Sequence, residues 1–315
     1  VLDKKIAILY CGSNTSINAG QFNALVKKTP ELNIMADVDP IFVWSKPILD
    51  ITAADWQVLA SKIYSIRDNY DGFVVIHSSL GAINTATAVS FFIENLKQPI
   101  LFTGSIGVSQ AEIKSHWENI KTYWQNIKAN LINAVQSAKI NLPEVALLYS
   151  NQIVRANLTE LLAGASAYPL YTADSGVLAK IDFSIRLTKN VLSKPAGKTK
   201  LVDTFNTNIE IINLETAVDY SSIITPLKNR DGLFIKTKNF YSVPKALENI
   251  IVEFGKTKPV AIHTDDNLEK DVPNSIVLKN MTEPAALIKF MWLLGQTKKI
   301  NKAMMEKNYR GEIIR

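Results

Sequence analysis

Two stretches of this chain place hydroxyls directly after apolar runs. Cys11-Gly12-Ser13-Asn14-Thr15 follows IAILY (6–10), and His77-Ser78-Ser79-Leu80-Gly81 continues from GFVVIH (72–77). A hydroxyl beside a base is the raw material of acyl transfer, because serine or threonine attacks a carbonyl only after giving up its proton. His77 stands next to such hydroxyls. As a general base it needs Ser78 or Ser79 within hydrogen-bond reach; otherwise it is a structural histidine at a strand end. The turn 77–81 has no carboxylate, no lysine and no glycine-rich phosphate cradle, and no GxGxxG or Walker pattern occurs in the chain. Ser78-Ser79 also precede a helical pattern, and a helix start can bind an anion through its open amides.

The remaining reactive side chains are scattered. His116 sits in Ser115-His116-Trp117-Glu118 and reads as a half-exposed surface histidine; covering a pocket is the alternative. His263 precedes Thr264-Asp265-Asp266 and reads as part of a solvated loop. Three histidines far apart offer no ligand spacing, so no metal and no other cofactor is expected. Cys11 is the one cysteine, which excludes an internal disulfide. It reads as a small core residue, with nucleophilic reactivity at a helix or loop entry as the alternative.

Positioning these groups requires a scaffold, and the periodicity supplies one. Short buried strands at 6–10, 41–44, 72–77, 99–104 and 144–150 alternate with helical patterns at 22–28, 53–68, 82–96 and 113–139. Thr52 and Asp55 make a capping-box-like start for the second of these helices. Such alternation implies right-handed βαβ units and a largely parallel sheet covered on both faces. Residues 186–206, rich in lysine, serine, proline and glycine, read as a connector. Strands at 209–214, 232–237, 259–264 and 275–279 follow, with helices near 244–255, 282–296 and 298–308. The fold class is therefore α/β, with an N-terminal domain over 1–185, a linker over 186–206 and a smaller domain over 207–315.

Bulk properties narrow the function classes. Of 315 residues, 47% are hydrophobic, enough for a sizeable core. The formal charge of +6 is spread among acidic residues. Without a basic-aromatic motif, nucleic acid is not an expected partner. The first apolar run of about five residues is too short for a secretory signal, and no run approaches a membrane span, so no membrane association and cytoplasmic residence are expected. The chain opens on Val1, which leaves its true start open.

Long passages then resemble one family, the bacterial-type L-asparaginases, in particular the cytoplasmic type I branch. TAADWQVLASKIYSIRDNYDGFVVIH, TATAVSFFIENLKQPILFTGS, NMTEPAALIKFMWLLGQ and NYRGEI match its scaffold text in family order across both domains. The resemblance implies a larger flavodoxin-like N-terminal domain, a smaller C-terminal α/β domain, and a homodimer or homotetramer. It also implies hydrolysis of asparagine to aspartate and ammonia by a threonine nucleophile. A second threonine, an aspartate and a lysine support that reaction, and the aspartate also binds the substrate ammonium.

The segments that carry this chemistry depart from the family. Where it has TGGT, this chain has Cys11-Gly12-Ser13-Asn14 and then Thr15. Asn14 takes the nucleophile's place without a gap, and Thr15 takes it with a one-residue insertion. The lid's glycine-tyrosine pair is matched by Gly20-Gln21-Phe22 in a shorter segment. The Asp-Ser-Ser stretch is matched by Pro47-Ile48-Leu49-Asp50 without its serines. HGTDT becomes His77-Ser78-Ser79-Leu80-Gly81, so Ser79 keeps a hydroxyl and Leu80 removes the carboxylate. The lysine of RGNRTTK becomes Leu161, and Asn126 falls near another aspartate's place. Candidate catalytic residues are thus Thr15 and Ser79, and candidate substrate-binding residues are Asn14, Asp50, Ser78 and Gly104. The expectation is an asparaginase-family protein that has lost its amidohydrolase activity and binds another small ligand, an amino acid or small acid, or a protein. The alternative is a divergent active L-asparaginase using Thr15 and Ser79.

Overall fold

Strands built from IAILY and GFVVIH have no polar face to turn toward water, so both must lie inside a covered sheet. The computed structural model, which describes residues 4–104, 116–149, 151–161, 170–238, 240–265 and 268–314, makes both of them internal strands of one sheet. The chain divides into two compact units, one through residue 203 and one from residue 204.

The first unit begins with β1 (Lys5–Gly12), α1 (Ala19–Lys27), α2 (Pro30–Met35), β2 (Asp37–Ser45), α3 (Ala53–Ile66), β3 (Gly72–His77) and α4 (Ser79–Phe92). It continues with β4 (Ile93–Glu94), β5 (Ile100–Thr103), α5 (His116–Ser137), β6 (Val145–Tyr149) and β7 (Gln152–Arg155). It closes with β8 (Thr159–Leu161), β9 (Leu170–Thr172), β10 (Val177–Ile181), β11 (Ile185–Leu187) and β12 (Lys200–Leu201). The main sheet has eight strands in the order β11-β10-β7-β6-β5-β3-β1-β2. Its strands β2, β1, β3, β5 and β6 are parallel, in the doubly wound flavodoxin-like order. The fold class read from the sequence is therefore observed.

Three strands extend the sheet in a way the periodicity does not announce. β7, β10 and β11 are each antiparallel to their neighbours. Within residues 186–206, β12 pairs with β4 inside the first unit.

Helix boundaries follow their caps. Asn18 and Gln21 form a reciprocal capping box, so α1 starts at Ala19 rather than 22. Asp55 accepts hydrogen bonds from the Thr52 N–H at 2.9 Å and the Thr52 hydroxyl at 3.0 Å, fixing the start of α3. The helix expected over 82–96 begins earlier, at Ser79, because the Ser78 carbonyl accepts the Gly81 and Ala82 amides. It ends earlier too, where Ile93 leaves to pair with Leu201. α4 is buried on nearly every side, consistent with its run of alanine, threonine, valine and phenylalanine.

The second unit contains β13 (Ile209–Asn213), α6 (Ile224–Leu227), β14 (Gly232–Lys236), α7 (Lys245–Phe254), β15 (Val260–His263), β16 (Ile276–Leu278), α8 (Glu283–Gln296) and α9 (Lys302–Glu306). Its four strands are parallel and pair in sequence order. The terminal helix expected over 298–308 is only α9, because Asn301 caps the Met304 amide and starts the helix there. His263 corrects the reading of a solvated loop. It is buried, and its Nε2 lies 2.9 Å from the Met281 carbonyl oxygen, a neighbour 18 residues later in the chain.

Candidate active site

In a doubly wound sheet, ligands meet the crevice outside the carboxyl ends of the strands where the order reverses, here between β1 and β3. Register places Cys11 of β1 between Trp44 of β2 and His77 of β3. The two hydroxyl-bearing turns therefore leave the sheet side by side.

The turn after β1 is held by its own backbone. The Asn14 carbonyl accepts from Ile17 N–H at 3.1 Å and from the Ser45 hydroxyl at 2.6 Å. The Asn14 side-chain oxygen accepts the Ser16 N–H at 3.0 Å, so its carboxamide closes a local turn. Thr15 is exposed at the tip, and no base contacts its hydroxyl among the described residues. Cys11 is fully buried; burial, reinforced by the charge of Asp55, pushes its thiol well above the usual range. That environment suits the core role and opposes thiolate chemistry.

His77 ends β3 with both nitrogens engaged. Its Nδ1 lies 3.0 Å from the Ser78 carbonyl oxygen, which can only accept, so Nδ1 carries the proton. Nε2 then accepts from the Thr85 hydroxyl at 3.1 Å. Burial lowers the imidazole pKa to about 4, against a smaller opposing effect of the Ser78 carbonyl. At neutral pH the ring is uncharged, and its one basic lone pair is occupied by Thr85. The Trp44 and Phe102 rings pack around it at centroid distances of 6.3 and 6.1 Å. Gly104 lies behind: a Cβ there would stand 2.0 Å from the His77 carbonyl oxygen. The Gly104 carbonyl in turn accepts from Asn130 of α5 at 3.0 Å.

The helix that follows opens the crevice. Ser78 is the N-cap residue of α4, yet its side chain makes no capping bond. Ser79 is 7% exposed, and its hydroxyl has no partner among the described residues. Leu80 is 59% exposed. Ile48 closes in from the turn after β2: a Cβ on Gly81 would lie 3.1 Å from its Cδ1 and 2.9 Å from Cε1 of His77. Leu49 is 93% exposed beside it, and Asp50 is exposed as well.

One pair of charges near this crevice neutralises itself. Lys46 pairs with Asp55. Burial acts to raise the Asp55 carboxyl pKa, but the Lys46 ammonium and the Thr52 N–H and hydroxyl outweigh it and hold it low. Leu161 ends β8 partly exposed and carries no charge. Asn126 is exposed on α5, and the side chain of His116 lies outside the described residues. Gly20-Gln21-Phe22 is helical, with Phe22 buried against Tyr10 at 5.1 Å and Trp124 at 6.5 Å.

The structure thus brings Asn14, Ser78, Ser79 and Gly104 around one strand-end crevice and leaves Thr15 and Asp50 on exposed turns. Trp44, Thr85 and Asn130 complete it and were not singled out in sequence, while Ile48 comes from the stretch that matches the family's Asp-Ser-Ser. Thr85, eight residues after His77, lies inside a stretch that otherwise reads as scaffold. Among the described residues no group of three His, Cys, Asp or Glu is placed to hold a metal, and no helix is long and apolar enough to cross a membrane.

Comparison with known proteins gives this arrangement a context. A family model described as Asparaginase, N-terminal, matches residues 7–192. L-asparaginase of Dirofilaria immitis is 25% identical over 301 residues, covering 89% of this chain and 48% of that protein. The 60 kDa lysophospholipase of Mus musculus is 26% identical over 288 residues, covering 84% of this chain and 49% of that protein. This chain therefore spans about half the length of these relatives. The crystal structure of L-asparaginase I from Vibrio cholerae superposes with a TM-score of 0.82 at 25% identity, covering 99% of both chains.

Proposed function

The chain belongs to the asparaginase family, and from that premise we propose that it has lost hydrolysis of L-asparagine and binds a different ligand. The observation that carries this is Leu80. The family meets the substrate's α-ammonium with a carboxylate, and an exposed leucine, which offers no compensating charge, stands at the matching position. Three further features support the same reading. Asn14 has no nucleophilic hydroxyl, no base contacts Thr15 among the described residues, and the lone pair of His77 is spent on Thr85. Members of such a catalytic set act as a unit, so losing several removes most of the rate.

A second reading keeps the enzyme. Ser79 retains a hydroxyl without a partner among the described residues, and Thr15 is accessible, so a divergent L-asparaginase using this pair is the rival. We also propose a homodimer or homotetramer and a cytoplasmic location, both from family membership; light scattering of the purified protein tests the first.

The deciding experiment is ammonia release from L-asparagine and L-glutamine by the purified chain, beside Thr15→Ala. No release above background from a folded sample supports lost hydrolysis. Turnover that vanishes in the variant overturns it in favour of the rival.

A further inference from the structure

The two longest helices of the second unit run out at one pocket. α7 ends at Phe254 and passes into Gly255-Lys256-Thr257-Lys258. α8 ends at Gln296 and passes into Thr297-Lys298-Lys299. The pocket has a volume of about 350 Å³, and Lys256, Lys258, Lys298 and Lys299 all line it, with Thr257 and Ser275 beside them. Among the described residues, no acidic and no aromatic side chain lines it. Val260 and Ile276, which open β15 and β16, line it as well, so it lies at the amino ends of these strands. It belongs to the second unit alone and shares no residue with the crevice of the first.

The wall of this pocket is built by close backbone contact. A Cβ on Gly255 would stand 2.3 Å from the Asn274 carbonyl oxygen, so only glycine lets the turn before β16 approach the end of α7. Asn274 holds the left-handed φ of 59°, and its Nδ2 donates to the Val252 carbonyl at 2.9 Å. The two segments are thereby tied together.

The four ammoniums are only partly matched. Lys256 pairs with Glu253 at 2.5 Å, with both side chains in solvent. Lys258 Nζ donates to the carbonyls of Lys228, at 3.2 Å, and Arg230, and lies 5.4 Å from the centre of the Phe254 ring. These contacts orient the charge without cancelling it. Lys298 and Lys299 are exposed and make no ion pair among the described residues. The Asp231 carboxylate accepts from Asn206 and Asn208 at 3.1 Å each. Those bonds hold its pKa below the usual range, and the charges of Lys258 and Lys298 add to them. Helix carboxyl ends carry about half a negative charge apiece, so two of them with Glu253 and Asp231 still leave roughly one positive charge unmatched. A concave surface of one sign concentrates its field on a ligand of the other.

We propose that this pocket binds a small anion carrying two or more adjacent phosphate groups. Lysine meets phosphate as a point charge, so ammoniums spread over two chain segments suit an anion whose charge is also spread. A monocarboxylate would engage one lysine and leave the rest repelling each other. A nucleic acid strand would find no aromatic ring on which to stack its bases. The site is independent of whether L-asparagine is hydrolysed.

The probe is inorganic triphosphate, titrated calorimetrically into the whole chain at low ionic strength. Binding with a Kd of about 0.1 mM or tighter is expected, at least about tenfold tighter than orthophosphate, and weakened by added sodium chloride. Lys298→Glu combined with Lys299→Glu, both at exposed positions, should weaken triphosphate at least about tenfold. Lys194→Glu combined with Lys198→Glu makes the same change in net charge at exposed positions outside the pocket and should leave the Kd within about twofold. No binding of triphosphate, binding indifferent to the Lys298 and Lys299 pair, or equal loss in both pairs overturns the proposal. A short single-stranded RNA that displaces triphosphate and binds more tightly overturns it in favour of a nucleic-acid surface.

Discussion

Two regions of the first sheet treat charge in opposite ways. At the amino edge, ahead of β6, the Glu144 carboxylate takes Arg155 Nε at 2.5 Å, Arg155 Nη2 at 3.1 Å and the Leu192 amide at 2.6 Å. The guanidinium also donates to the carbonyls of Asn190 at 2.7 Å and Ser175 at 3.3 Å. Both residues are buried, and the pair is enclosed by hydrogen bonds. At the carboxyl edge, between β1 and β3, the histidine is neutral, a serine hydroxyl has no partner among the described residues and leucine faces solvent. Charge has been kept where it holds strands and connections in place. The first turn of α4, by contrast, carries no charged residue. The difference is the one expected if, as proposed, the requirements of the fold have been kept and those of the family reaction have not.

The largest test of this contrast lies at the amino edge. Glu144→Ala strands a buried guanidinium and should cost about 3–5 kcal/mol, read as a lower urea midpoint with an unchanged slope. A loss under 1 kcal/mol would mean that the pair is not what holds this edge.

Next comes the pH dependence of His77. Its folded pKa of about 4 lies below the ordinary 6.5, so the unfolded chain binds the proton first. Its contribution is complete above pH 6.5 and is lost as pH falls toward 4, by about 3 kcal/mol in total. His77→Gln should flatten that part of the Tm against pH curve. An unchanged slope would show that this imidazole protonates freely in the folded chain.

A smaller effect is expected at α3. Asp55→Ala removes the acceptor for Thr52 and the partner of Lys46, and should cost about 1–2 kcal/mol, measured by thermal unfolding. The smallest belongs to Leu80→Asp, which adds an acid to a helix first turn and should change stability by no more than about +1 kcal/mol. A large destabilisation there would mean that Leu80 packs into the fold and that the contrast between the two edges is drawn in the wrong place.

How much of this was legible in the sequence differs between scaffold and site. GFVVIH forms a strand with the boundaries read, because an apolar run closed by turn residues leaves little choice. β7, β10 and β11 were not anticipated, since runs of three to five residues are too short for periodicity to distinguish. The hydroxyl turns were found because they follow such runs directly. Thr85 and Asn130 were not, because their contacts with His77 and Gly104 are made in three dimensions by side chains that read as scaffold. His263 was misplaced for the same reason: the chain that covers it arrives only at Met281.

The capping box of α1 and the seat of Phe22 bear on kinetics. Withdrawing a buried phenylalanine costs about 1.5–3 kcal/mol. A swing of this segment that exposes Phe22 is therefore populated in roughly one molecule in ten to one in a hundred and fifty. A lid that sets the pace of exchange must instead open and close within each binding cycle. Here the seated form remains the majority, so glycine substitutions within α1, which raise the open fraction, should matter less to residence times at the crevice than the strength of ligand contacts.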